Sequence, residues 1–498
     1  MCLFQQIRDA RDKFYTLAFV ALIALVFLAH LATLSISPLP WIDEVQIIEM
    51  GRNGVLDQLP SWSMIVPDSG NCFWTAYYLG GLAQELAYRL TGSQFGPRLL
   101  SLIGLIFASL LLSIVLQKKN VQARHAFAIA AVFLVDPVIT QNVRGARVDI
   151  WTIVCTLLSL LILSCIKDST PKKDAFSFLA VGAISVVQLF IWASSVLQLP
   201  IIIVECWNLA EERKWRIGIL IRWAVFGLLG GLLAMFLVAI PFLDQWKLVM
   251  THFQGLSQHN LSQPFVVNVV SLLRVMVKTP FIVIAGMFSM VACKRHSRYL
   301  LCVLLILAFV LSTRIYIHRF VHIVPYFVLA FGLLVGNECL VPRFVKRCVV
   351  IWAVVALLYG GVYSVLIRNF VESFAKDARQ KEIIVETMRD EVGGSGTRVY
   401  NDAFQLYYVG RSIGWMQYRM GWGEWWKPGN AEGILKKVDC FLGQDLAQDK
   451  VRMLEERGFR FEKTIELPAN TGTVGEYIYA RLKRQLCYGP FQLYRRKL

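Results

Sequence analysis

Residues 14–36 read FYTLAFVALIALVFLAHLATLSI, and residues 37–45, which follow directly, read SPLPWIDEV. The first run holds no Asp, Glu, Lys or Arg and exceeds the ~20 apolar residues that a helix needs to cross a bilayer core. Pro38 and Pro40 then end it, because a proline has no N–H to give to a helix. Just past them Asp43 stands where it can cap a short helix through Arg52, lying flat on the membrane surface.

The same pattern recurs along the chain. Apolar, charge-poor windows fall at 14–36, 96–117, 122–140, 149–166, 176–193, 194–209, 216–241, 279–293, 298–315, 319–341 and 344–366. That predicts about eleven transmembrane helices. The break between the two windows in 176–209 is weak, at Ser194 to Pro200, so that stretch reads equally as one bent helix. Composition agrees: of 498 residues 56% are hydrophobic and only 17% charged, with a mean hydropathy of +0.54. A soluble chain of this length carries far more charge on its surface.

A formal net charge of +17 invites a nucleic-acid reading, which the placement of the charge excludes. Basic residues gather in short loops: Arg8/Arg11/Lys13, Lys118/Lys119/Arg124, Lys167/Lys172/Lys173, Arg213/Lys214/Arg216, Lys294/Arg295/Arg298 and Arg343/Lys346/Arg347. With eleven spans all six clusters fall on one face, which the positive-inside rule makes cytoplasmic. The N-terminus is then inside and the C-terminal segment outside, and the first span reads as a retained anchor in the inner (plasma) membrane. Of the eleven cysteines, only Cys72, Cys440 and Cys487 fall outside the spans on the external side, too widely spaced for a zinc motif or a disulfide framework.

Three external segments result: 37–95, 241–278 and 369–498. In the first, Phe73 to Arg89 is amphipathic and aromatic-rich and reads as a second interfacial helix. The last reads as a small α/β domain. Arg398-Val-Tyr and Val438-Asp-Cys-Phe-Leu are short buried strands, 444–457 is helical up to Gly458, and Phe459–Leu467 and Gly475–Leu482 alternate as strands. The domain organisation is therefore a transmembrane part over 1–368, with interfacial helices in its first loop, and an extracytoplasmic domain over 369–498.

Chemistry can sit in three places on the external face. Asp43 and Glu44 stand at the end of the first span; an acid there is a helix cap, or a general base for a hydroxyl. Asn142-Val-Arg-Gly-Ala-Arg-Val-Asp149 places Arg144, Arg147 and Asp149 where the charge rule does not want arginines. They are an anchoring ion pair, or a site for a phosphate. Arg314-Ile-Tyr-Ile-His-Arg-Phe-Val-His322 sets His318, Arg319 and His322 at the edge of a late span. The spacing of His318 and His322 suits a divalent metal ion, yet no third histidine or nearby glutamate completes a ligand set; a cationic site for a lipid phosphate is the more natural use. No paired halves and no broken mid-membrane helix with buried charge, the marks of a transporter, stand out.

The acidic motif Ile42-Asp-Glu-Val followed by an interfacial helix resembles the polyprenyl-phosphate-sugar-dependent glycosyltransferases of the GT-C superfamily, in particular the bacterial relatives of protein O-mannosyltransferases and of the aminoarabinose transferase acting on lipid A. Arg147-Val-Asp149 resembles their Arg-x-Asp motif, and His318-Arg-Phe-Val-His-Ile-Val-Pro their late Arg-Tyr-containing segment that ends in proline. Two departures stand out: Gln46 occupies a position where many relatives have arginine, and Gly70-Asn-Cys-Phe-Trp-Thr replaces a Lys-Pro-Pro-like or His-Pro-Pro-like element. The resemblance implies transfer of a sugar from a polyprenyl-phosphate carrier to a glycan, lipid or protein acceptor, with inversion. It implies Asp43 as base and Glu44 in a secondary role. The carrier phosphate falls to Arg147 and Arg319 with Arg144, Arg52 and His318, while Asp149 and Asp68 are the next acids in line. Metal dependence stays open, and a lipid or glycan transporter without bond chemistry is the alternative.

Overall fold

The computed structural model describes residues 2–36, 38–52, 78–166, 171–214, 216–240, 265–292, 297–311, 317–336, 343–373, 376, 379–418, 433–467 and 488–496. Among them, seven helices are long and apolar enough to cross a membrane: Lys13–Leu34, Phe95–Lys118, Lys173–Ile191, Ala193–Glu212, Ile217–Ala239, Arg319–Gly336 and Cys348–Ser373. Two bent pairs raise the number to as many as nine, and Asp149–Ser164 and Arg298–Leu311 are shorter apolar helices. Every window read from the sequence thus coincides with a helix, and the chain is a multi-pass membrane protein. The doubtful stretch 176–209 is two helices, Pro171–Ile191 and Leu199–Glu212, joined by a 3-10 turn, Ala193–Gln198.

The bends have local causes. Ala123–Val135 and Pro137–Arg144 meet at 51°, and Phe265–Lys278 and Pro280–Ala292 at 101°. A proline opens each second helix and removes the hydrogen bond that would carry the first one on. Asp136 caps its helix, accepting from the N–H groups of Val138 (2.9 Å) and Ile139 (3.1 Å). The Thr279 hydroxyl at the other elbow donates to Asp136. Two broken helices with a buried acid are therefore present, contrary to the sequence reading. The segment 265–278, expected as part of an external loop, is a helix with Asn268, Leu272 and Val275 on its buried side.

The chain divides into two compact units. The first comprises 1–30, 101–143 and 147–367, the second 31–100, 144–146 and 368–498. The loop after the first span thus groups with the C-terminal segment rather than with the remaining spans. Within the first unit, Pro171–Ile191 and Ile217–Ala239 cross with their backbones in contact. A Cβ on Gly182 would come within 1.9 Å of the Gly227 carbonyl oxygen, and one on Gly230 within 1.9 Å of that of Leu179. Phe178 stacks on Trp223 beside this crossing, at 4.6 Å. The outward faces carry Leu228, Phe236, Ile284, Leu305 and Ile351, all exposed; lipid tolerates such a surface and water does not.

Within the second unit lies a five-stranded sheet. Its strands are β1 (Arg398–Asn401), β2 (Met416–Tyr418), β3 (Cys440–Gly443), β4 (Phe459–Ile465) and β5 (Phe491–Arg496). Their spatial order is β2-β1-β3-β5-β4; β1 is parallel to both β2 and β3, and β5 antiparallel to both β3 and β4. Alternation sorts the side chains by face. Val399, Cys440, Leu442, Phe491 and Leu493 pack with Ile384, Met388 and Val409 from helices Lys381–Val392 and Tyr407–Ile413. Tyr400, Phe441, Phe459 and Tyr494 pack with Leu454 of helix Gln448–Glu456 on the other side. The small α/β fold expected at the C-terminus is present. Strand β5 escaped the sequence reading, whose last strand, Gly475–Leu482, lies outside the described residues.

Candidate functional site

The acidic helix is Ile42–Gly51, in the second unit. Its N-cap is Trp41, extended and without a capping side chain, so Asp43 is not the cap that the sequence suggested. Asp43 and Glu44 occupy the first turn, where the helix dipole favours carboxylates. Glu44, Val45, Ile47, Ile48 and Glu49 are buried, whereas Asp43 and Gln46, three residues apart on one flank, are half-buried. Gly51, in the last turn, meets Gly81 of the helix Tyr78–Thr91 with no room for a Cβ.

The two adjacent acids have different surroundings. Glu44 accepts from Arg98 on both oxygens, Nε to Oε1 and Nη2 to Oε2, each at 3.1 Å. The Tyr408 hydroxyl adds a third bond at 3.1 Å. Arg98, completely buried, also donates to the carbonyls of Leu34 (3.1 Å) and Pro38 (2.6 Å) at the end of the first span. Such a bidentate pair is a rigid structural brace. Glu49 accepts from the Tyr407 hydroxyl and from Arg52 at 3.3 Å. Glu85 accepts bidentately from Arg411, at 2.6 and 2.9 Å, and from Arg89. Burial, and next to it the carboxylates of Glu49 and Glu44, hold the Tyr407 and Tyr408 hydroxyls well above the usual phenol range, so both remain donors. Nothing in the sequence alone marked Tyr407, Tyr408 or Arg411 as partners of the first loop.

Further cations gather at the end of the first span in this unit. Arg144 donates to the Thr33 hydroxyl at 2.8 Å and lies within electrostatic reach of Arg98, Arg368, Arg379 and Glu372. Arg379 pairs with Glu372 at 2.7 Å and donates to the Ile36 carbonyl at 2.5 Å.

The second constellation belongs to the first unit. Asp149 opens the helix Asp149–Ser164 and is fully buried. Its Oδ2 accepts from Arg147 Nε at 2.7 Å and from Asn142 at 3.4 Å, and its Oδ1 lies 2.9 Å from His322 Nε2. The other ring nitrogen of His322 is 2.6 Å from Gln198 Nε2. Thr156 donates to Gln198 Oε1, which fixes the amide with its NH2 toward His322. His322 Nδ1 is then the acceptor and Nε2 carries the proton, close to Asp149 Oδ1 but not aligned with it for a hydrogen bond. The guanidinium of Arg147 lies 5.2 Å from the Trp192 ring centre.

The structure therefore joins Arg147, Asp149 and His322, as sequence spacing could not. It does not give His318 and His322 one uninterrupted helix: Ile317–Val321 ends before His322, both of whose ring nitrogens face protein partners. Arg319 stands half-buried on that short helix. The side chain of His318, and Asp68 altogether, lie outside the described residues. Among the described residues, no group of three His, Cys, Asp or Glu side chains is arranged to hold a metal ion.

No family model and no curated protein matches this sequence. Solved structures do match its fold. The arabinofuranosyltransferase AftD from Mycobacteria superposes with a TM-score of 0.55 at 14% identity, over 96% of this chain and 40% of that one. ArnT from Cupriavidus metallidurans in the apo state superposes with a TM-score of 0.54 at 14% identity, over 90% of this chain and 96% of that one. This chain thus spans about 40% of the length of AftD and nearly all of ArnT. At such identity the likeness is one of fold alone.

Proposed function

We propose that the protein is an integral membrane glycosyltransferase that moves one sugar from a polyprenyl-phosphate carrier to a hydroxyl acceptor on the extracytoplasmic face. The observation that carries this reading is the division of labour on the helix Ile42–Gly51. Glu44 and Glu49 are buried and held by arginine and tyrosine, while Asp43 occupies the half-buried flank. A general base has to reach solvent and substrate, and a braced, buried carboxylate does not.

In the reaction Asp43 takes the proton of the acceptor hydroxyl as its oxygen attacks the anomeric carbon. The bond from that carbon to the phosphate oxygen breaks, its electron pair leaves with polyprenyl phosphate, and the configuration inverts in one displacement. A phosphate leaves without a proton when cations receive its charge. That role is assigned to Arg144, with Arg368 and Arg379 around it, and to Arg147 and Arg319. Arg52, tied to Glu49, and His318 complete the assignment. Glu44 is a brace for the acidic helix in this scheme. The N-terminus is cytoplasmic and the C-terminal segment extracytoplasmic, in the plasma membrane.

The test uses purified full-length protein in nanodiscs with a set of tritiated polyprenyl-phosphate pentoses and hexoses, and follows release of polyprenyl phosphate. The glycan profile of a deletion strain identifies the acceptor. Asp43→Asn is expected to lower turnover at least ~100-fold and Glu44→Gln clearly less. An active Asp43→Asn protein would move the base elsewhere.

One observation favours the transporter reading: the two broken helices joined by Asp136 and Thr279. The carboxylate there already accepts two backbone N–H groups and a hydroxyl, as a helix cap does. Uptake of a labelled lipid-linked sugar without release of polyprenyl phosphate would establish transport instead.

A further inference from the structure

The helix that carries Asp43 is too short to stand by itself, since ten residues in isolation are marginally helical at best. Its position is fixed from another part of the chain. The helix Tyr407–Ile413 reaches it at two residues on successive turns: Tyr408 donates to Glu44 at 3.1 Å, and Tyr407 donates to Glu49. From the same short helix Arg411 holds Glu85 with two bonds, on Tyr78–Thr91, the helix that packs against Ile42–Gly51 through Gly51 and Gly81. Aromatic contacts complete the joint. Tyr88 stacks on Tyr408 at 5.5 Å, and the Arg411 guanidinium lies 3.8 Å from the Tyr88 ring centre.

From this geometry we infer that Tyr407, Tyr408 and Arg411 are positioning residues for Asp43, so that the C-terminal segment sets the aim of the base; the inference rests on the glycosyl-transfer reading above. Points of attachment at residues 44 and 49 fix both the rotation of the helix about its axis and its travel along it. Arg98 and Arg52 also hold Glu44 and Glu49, so loss of a tyrosine hydroxyl loosens an attachment rather than removing it, and the flank carrying Asp43 then turns more freely. A base that has lost its alignment slows the proton transfer and leaves binding of the lipid carrier alone, so kcat falls while KM stays.

The experiment compares wild type, Tyr408→Phe, Tyr407→Phe/Tyr408→Phe, Asp43→Asn and Asp43→Asn/Tyr408→Phe, as full chains in nanodiscs, by hydrogen–deuterium exchange and by release of polyprenyl phosphate from the tritiated donor that wild type uses. In the double variant the amides of 42–51 should exchange at least ~10-fold faster while those of β1 and β3 keep their wild-type rates. In the same protein kcat should drop at least ~10-fold with KM within about twofold, and Tyr408→Phe should cost nothing further on top of Asp43→Asn. Should the double variant fail to fold, the single Tyr408→Phe change carries both readouts, with smaller effects. Wild-type exchange over 42–51, or faster exchange with unchanged kcat, overturns the inference. If Asp43→Asn itself turns over normally, the base assignment is what fails, and the exchange data alone decide whether these residues hold the helix.

Discussion

Replacing Arg98 by methionine puts the brace beneath the acidic helix to a quantitative test. Arg98, itself fully buried, makes two bonds to Glu44 and one each to the carbonyls of Leu34 and Pro38. Methionine fills most of the volume and removes all four. Breaking a buried pair from one side typically costs ~3–5 kcal/mol, because it leaves an uncompensated charge. Two carbonyls that lose a donor add to that, for a total of about 4–6 kcal/mol. Glu44→Gln is milder, about 2–3 kcal/mol, since the amide oxygen still accepts from Arg98 and Tyr408. The double change Arg98→Met/Glu44→Met removes both charges together, and an apolar replacement of a buried pair is often close to neutral. The single losses of Arg98→Met and Glu44→Met should therefore exceed the double loss, when added, by at least ~2 kcal/mol. Reversible unfolding of the purified protein in mixed micelles, titrated with a denaturing detergent, measures the whole cycle. Losses that add within ~0.5 kcal/mol would mean that the two side chains do not act as a pair.

Other expectations follow from separate parts of the molecule. Gly182→Val should weaken the crossing of Pro171–Ile191 on Ile217–Ala239 by several kcal/mol, because backbone atoms occupy the space its side chain needs; a wild-type melting temperature would contradict the close approach. His322→Phe should destabilise the protein by roughly 1–3 kcal/mol, as Asp149 and Gln198 both lose a partner, whereas His322→Gln should recover part of the loss; equal melting temperatures for the two would remove His322 from the network. Burial pushes the Cys440 thiol up to about 12. At pH 8 the folded protein should then resist alkylation at Cys440, and react there only after denaturation, as peptide mass mapping would show. Rapid labelling of the native protein would place the start of β3 in solvent.

Much of the fold was legible because the bilayer demands one thing, a long apolar run, and punishes departures from it. Each of the eleven windows coincides with a helix for that reason. Misreadings occurred where local chemistry competes with hydropathy. The helix Phe265–Lys278 carries Asn268, Ser271, Arg274 and Lys278 at helical spacing, polar residues that read as loop although the segment is apolar on average. The break at Pro137 lies inside a stretch, 122–140, apolar enough to look continuous. Strand β5 is short and ends in two arginines, so its alternation is visible only beside β3 and β4.

By itself the sequence determined the membrane class, the positions of the spans and the motif in which Asp43 and Glu44 stand side by side. It also determined the small α/β segment at the C-terminus. Hydropathy and charge placement act locally, and a run of twenty residues carries the whole signal. Only the tertiary structure decided which of the two acids is braced and which stands on the half-buried flank. That depends on Arg98, 54 positions away along the chain from Glu44, and on Tyr408, 364 positions away. The same holds for the meeting of Asp149 with His322. Electrostatic partnership falls off with distance in space and takes no account of distance along the chain, so no reading of neighbouring residues could have assigned these roles.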